Sequence, residues 1–182
     1  MGEIRDRPPV KLICGFIYGT EEHFNGAFSK LEHLYGEADF VSELIEFDHT
    51  QYYHHEMGGG TLYRRFCCFK KLIPSEDLPD IKIKTNDIEI EFANPEGIRQ
   101  VNLDPGYISA SKLILATTKN QQQRIYLASG IFAEPELYFQ NKTFNAWEWS
   151  YPDYATEKYI KIFNHIRKIY QHQIKEIGMR FI

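Results

Sequence analysis

A chain of 182 residues, 43% apolar and 25% charged, is long enough to bury a core as one domain and carries none of the bias of disordered or fibrous sequences. Its formal net charge of −4 argues against a dedicated nucleic-acid binder, which neutralises phosphates with a basic surface, so RNA binding is not expected. No run approaches the roughly 20 apolar residues of a membrane span.

Met1 to Pro9 is charged and proline-containing. It lacks the apolar centre of a signal peptide and reads as a flexible lead-in. Val10 to Tyr18 is a short β-branched and aromatic run, which predicts a buried strand. Thr20 is placed to cap a helix, with Glu21 and Glu22 where the helix dipole favours acids. Phe24, Phe28, Leu31 and Tyr35 fall at helical spacing, and Gly36 ends the helix. Phe40 to Phe47 reads as a second strand and Thr61 to Leu72 as a third, with a polar loop between them. Pro74 and Pro79 lead into a helix through Ile81, Ile88 and Phe92, although Ile88, Ile90 and Phe92 also alternate as in a strand.

Asp104-Pro105-Gly106-Tyr107 predicts a type II turn, because proline presets one central residue and glycine takes the positive φ of the other. Leu113 to Thr118, Arg124 to Ala128 and Ile131 to Phe139 read as successive strands. Trp147, Trp149 and Tyr151 alternate as on one face of an extended piece. Thr156 to Ile177 is a long amphipathic helix with an apolar stripe through Tyr159, Ile162, Phe163, Ile166, Ile169, Tyr170 and Ile174. Its cations fit the solvated side of such a helix. This order predicts an α+β fold: a mixed or mostly antiparallel sheet with a ferredoxin-like split β-α-β start, extra strands, helices on one face and a long C-terminal helix.

The cysteines, Cys14, Cys67 and Cys68, are odd in number and include an adjacent pair. That fits reduced thiols of the cytoplasm better than a disulfide framework, so the sequon Asn141-Lys142-Thr143 is not expected to be glycosylated. On a strand, Cys67 and Cys68 would point to opposite faces as small core residues.

Two polar segments carry the chemistry. Asp48 to Gly60 holds His49, His54, His55 and Glu56, groups able to ligate a divalent metal, but lacks the spacing of the zinc-protease helix. Its glycine triplet Gly58 to Gly60, followed by Arg64 and Arg65, invites a phosphate reading, though the chain has no P-loop pattern. The second strip comprises Asn102, Asp104, Lys112, Glu134, Glu136, Trp147, Trp149 and Asp153. Carboxylates from neighbouring strands would converge on Mg²⁺, which prefers oxygen ligands. Glu134 and Glu136, two apart, would share one face of a strand.

Three stretches carry a resemblance: Thr50 to Gly58 (TQYYHHEMG); VNLDPGY from Val101 with KLILATTK from Lys112; and RIYLASGIFAE from Arg124 with YPDY from Tyr151. Together they resemble the prokaryotic family known as domain of unknown function 4416, over nearly the whole chain. Members are often labelled GTP-binding, which implies a nucleotide ligand. The chain itself has neither a Walker A loop nor a guanine-reading Asn-Lys-x-Asp. The resemblance implies site positions at Tyr53, Glu56, Met57, Gly58, Arg65, Asn102, Asp104, Gly106, Lys112, Lys119, Glu134 and Asp153, and leaves His54 and His55 outside the pattern.

The leading expectation is a ligand-binding domain for a nucleotide or other phosphorylated small molecule. Arg65, Lys112 and Lys119 would meet phosphate, and Tyr53 or Trp149 would stack a base. Tyr53, Glu56, Asn102, Asp104 and Glu134 complete the expected ligand contacts. Two alternatives stand beside it. One is a phosphoryl-transfer or hydrolytic enzyme with Glu56, Asp104, Glu134 and Asp153 around Mg²⁺ or Mn²⁺. The other is a non-catalytic interaction module that uses its aromatic surface to form a homo-oligomer or bind a partner.

Overall fold

The structure is a computed structural model and describes residues 7–48 and 51–181. Among the described residues nine strands form one sheet, and every pairing between them is antiparallel. Strand β1 (Lys11–Tyr18) is followed by helix α1 (Glu21–Tyr35), β2 (Ala38–Val41), β3 (Ile45–Phe47), α2 (Gln51–Glu56) and β4 (Leu62–Phe69). A short 3-10 turn leads into α3 (Leu78–Glu91), then β5 (Val101–Ile108), β6 (Lys112–Thr117), β7 (Ile125–Ala128), β8 (Ile131–Gln140), β9 (Thr143–Ala146) and α4 (Glu157–Glu176).

The strand order is β2-β4-β1-β5-β6-β8-β7, with β3 also on β4 and β9 on β8. Its first four members reproduce the split β-α-β arrangement: β4 lies between β1 and β2, and α3 carries the chain from β4 across to β5. The remaining strands extend this sheet as hairpins.

Both faces are covered. On one, Leu12, Cys14, Phe16 and Tyr18 of β1 pack against Phe24, Ala27 and Leu31 of α1 and Ile81 and Ile88 of α3. On the other, Ile13, Phe66, Cys68 and Leu137 meet Tyr159, Phe163, Ile166 and Tyr170 of α4. The expectation of helices on one face is therefore corrected. β1 is buried at all eight positions, so both sides of its pleat need a cover, and α4 supplies the second. The helix ends obey their capping signals: Thr20 Oγ1 accepts from His23 N–H, Gly36 has φ +90°, and Thr156 Oγ1 accepts from Tyr159 N–H.

The region 40–47 divides into two short strands, and the polar segment after it contains the single-turn helix α2. Ile81, Ile88 and their neighbours form a helix, not a strand. Trp147 follows the last residue of β9, and the chain from there to α4 runs in turns.

The largest correction concerns Asp104-Pro105-Gly106-Tyr107, which lies inside β5 between β1 and β6. Gly106 is needed there for close approach rather than for a positive φ. A Cβ on it would stand 2.3 Å from the carbonyl oxygen of Ile114 on β6. Pairing between β5 and β6 runs only from Gly106 opposite Leu115 to Ile108 opposite Leu113. Toward the start of β5 the two strands part. Pro105, which has no N–H to offer, stands where that pairing stops.

Candidate functional site

Where β5 leaves β6, its backbone would be left open, and α3 closes it. Leu103 N–H donates to Glu89 Oε1 at 2.6 Å, and Lys82 Nζ donates to Leu103 C=O at 2.8 Å. Two side chains thus replace the missing strand partner, as the burial of backbone polar groups requires. The gap opens into a cavity of about 620 Å³ walled by β4, β5, the end of β6, β8, α2 and the turn before α4. Tyr52, Tyr53, Tyr151, Thr117, Thr118 and Gln121 contribute to its lining.

Most of its charges are paired internally. Arg64 is 1% exposed and spans β1 to reach β5: Nη1 donates to Asp104 Oδ2 at 2.8 Å and Nη2 to Tyr154 Oη at 2.6 Å. Its guanidinium lies over Phe66 and Tyr154, 4.7 and 5.3 Å from the ring centroids. Gly15 makes room for it, since a Cβ there would sit 3.2 Å from Nη2. Burial works against the Arg64 charge, but Tyr154 and Asp104 outweigh it and hold the guanidinium protonated. Burial likewise works against the Asp104 carboxylate, yet Arg64 and Lys82 keep its pKa below the ordinary aspartate value.

Arg99 binds Glu89 at 3.0 Å, Asn102 Oδ1 at 2.9 Å, and Glu56 of α2. Arg124 is bonded to Glu134 and donates to Tyr151 Oη at 2.9 Å. Burial raises the Glu89 pKa above the usual carboxylate value. Three lining groups differ from these. Lys119 Nζ donates to Tyr52 Oη at 3.1 Å and lies over its ring, with no carboxylate partner among the described residues. Asn102 Nδ2 is buried without an acceptor. The carboxylate of Asp153, whose residue is 8% exposed, makes no hydrogen bond or ion pair among the described residues.

Of the residues singled out from the sequence, Tyr53, Asn102, Asp104, Lys119, Glu134 and Asp153 line this one cavity. Glu56 stands behind it through Arg99. The other three lie elsewhere. Arg65 points to the opposite face, where it pairs with Glu21 at 2.9 Å and covers Phe24. Lys112 is exposed at the start of β6, at the far end of the strand from Lys119. Trp149 stacks on Trp147 at 5.2 Å and donates from Nε1 to Pro135 C=O, outside the lining.

Among the described residues no three His, Cys, Asp or Glu side chains are placed to hold an ion. Glu56, Asp104 and Glu134 each engage an arginine instead. His49 and Thr50 lie outside the described residues, and His55 is exposed. Met57 belongs to a small apolar cluster with Ile17, Phe47 and Leu62. Glu134 and Glu136 are separated by a bulge: Pro135 opposes Ile114 and Leu137 opposes Leu113, leaving Glu136 as the extra residue. Glu136 accepts from Tyr151 N–H at 2.7 Å, and burial pushes its pKa up to about 8.

Lining residues that sequence reasoning did not carry into its site are Lys82, Glu89, Arg99 and Arg124, with Tyr151, read as part of an aromatic face, and Arg64, read only beside the glycine triplet. Only Arg64 had a readable signal. In LYRRFCCF it shares its parity with Leu62, Phe66 and Cys68, which marks it as facing an apolar layer.

Neither the curated proteins nor the solved structures include a match to this chain. The family model described as "Domain of unknown function (DUF4416)" matches residues 8–170, which takes in every strand, the cavity and most of α4, and the chain belongs to that family.

Proposed function

We propose that the cavity binds a nucleotide or another phosphorylated small molecule. Its volume, about 620 Å³, suits such a ligand, since small-molecule sites run roughly 300–1,000 Å³. The observation that carries the reading is the set of donors left over once the internal ion pairs are drawn. Among the described residues Lys119 has only a tyrosine for a partner, and Asn102 Nδ2, although close enough to Asp104 to help lower its pKa, has no acceptor in hydrogen-bond geometry. A buried donor without an acceptor costs about 1–3 kcal/mol, which an anionic ligand oxygen would recover. Tyr52, Tyr53 and Tyr151 offer rings for a base or sugar.

Thermal-shift measurements with nucleotides and sugar phosphates at millimolar concentration test this. Binding to the native state raises the melting temperature, and Lys119→Ala should weaken the response about tenfold in concentration. Absence of any shift across the panel would overturn the proposal.

A further inference from the structure

Among the described residues, once the ion pairs and the bond from Lys82 to Leu103 are set aside, the cavity lining keeps one cation, Lys119, and one anion, Asp153. The unpartnered anion is the less expected of the two. Its oxygens are not among the buried side-chain atoms that lack a partner, so they open onto the cavity, within the field of the Arg64 charge and free to accept from a ligand. Asp153 is also firmly placed. Its carbonyl accepts from both the hydroxyl and the N–H of Thr156, at 2.7 and 3.1 Å, at the start of α4. Tyr151 and Pro152, the residues just before it, line the same cavity.

We infer that Asp153 is a specificity-determining residue that accepts hydrogen bonds from the ligand, so the ligand carries polar hydrogens, hydroxyl or ammonium, besides its phosphate. This rests on the phosphate reading above. A ligand that carries both an acidic group and donors matches both leftover groups at once. A ligand that offers only a phosphate gives the Asp153 carboxylate no hydrogen-bond donor. Adjacent hydroxyls of a pentose and a primary ammonium present the same chemistry to a carboxylate, and matched probes separate them.

Calorimetric titration of the full chain tests the inference with two pairs of probes. The first pair is adenosine 5′-monophosphate and its 2′,3′-dideoxy analogue; the second is phosphoethanolamine and ethyl phosphate. The wild type should bind the donor-bearing member of at least one pair about tenfold more tightly than its mate. Asp153→Asn should abolish that preference and leave the affinity of the donor-free mate unchanged. Asp153→Ala serves as the second variant if the first does not fold. Equal binding within both pairs by the wild type, or a preference that survives both substitutions, overturns the role of Asp153. If ethyl phosphate or the dideoxy nucleotide still binds and Lys119→Ala weakens it, the phosphate reading stands without Asp153. If none of the four probes binds, both fail together.

Discussion

Arg64 and Asp104 meet across β1, 40 positions apart in sequence, with Nη1 and Oδ2 2.8 Å apart over the missing side chain of Gly15. The pair joins the two strands that flank β1 and forms part of the cavity floor. Arg64 is the buried partner and Asp104 is partly exposed, so removing Asp104 leaves a buried guanidinium uncompensated, at the lower end of the about 3–5 kcal/mol that breaking a buried pair costs. Asp104→Asn should therefore lower unfolding stability by about 3 kcal/mol in urea titrations. The direction with pH follows from the depressed pKa of Asp104. Its contribution is complete above the ordinary aspartate range and is lost as pH falls through its lowered folded value. The wild type should lose stability in acid more steeply than Asp104→Asn.

Glu136 predicts the opposite slope. Its buried carboxyl is raised to about 8, and Oε2 has no hydrogen-bond partner. Between the ordinary glutamate range and pH 8 the folded state holds a proton that the unfolded chain has released. Stability is thus greatest in mild acid and falls as pH rises through about 8. Glu136→Gln should flatten that fall. Melting curves from pH 5 to 9 should show the variant gaining on the wild type by on the order of a few kcal/mol at the alkaline end. Parallel curves would show that Glu136 is ionised throughout.

Gly106 predicts a steric effect. A Cβ there would press on the Ile114 carbonyl at 2.3 Å, a backbone atom that cannot swing aside. Gly106→Ala should cost about 2–3 kcal/mol by forcing β5 and β6 apart, as overpacking does in tight interiors. A variant as stable as the wild type in denaturant would mean that the close crossing is not required.

Cys14, Cys67 and Cys68 are all free and buried. Burial pushes each thiol well above its ordinary pKa, so the thiolate needed for reaction is scarce. Ellman's reagent should label none of them in the native protein at neutral pH and all of them in denaturant. Rapid native labelling would place at least one thiol on the surface.

Local chemistry in the sequence was enough for the elements whose signals are local. The caps at Thr20 and Gly36, the apolar stripe of α4 and the buried run of β1 each follow from spacing within one turn or one pleat. A split β-α-β start was legible because the alternation of strand and helix periods limits the topologies that can bury both faces. Six of the proposed site residues reach one cavity because the sheet order brings β5 and β8 together with α2 and the loops after β6 and before α4.

Tertiary structure decided the rest. Proline and glycine at 105 and 106 carry the same local signal for a turn and for a strand that loses one neighbour, and only the path of β6 separates the two. Arg64 and Arg65 are chemically alike in sequence, but the pleat sends one into the cavity beside Asp104 and the other to Glu21 on the far face. The acidic strip read as a metal site because like charges must be balanced. The fold balances Asp104 and Glu134 with arginines from other strands and loops. Partners separated by tens of residues leave no trace in local periodicity, because their pairing is a property of strand register and not of neighbouring sequence.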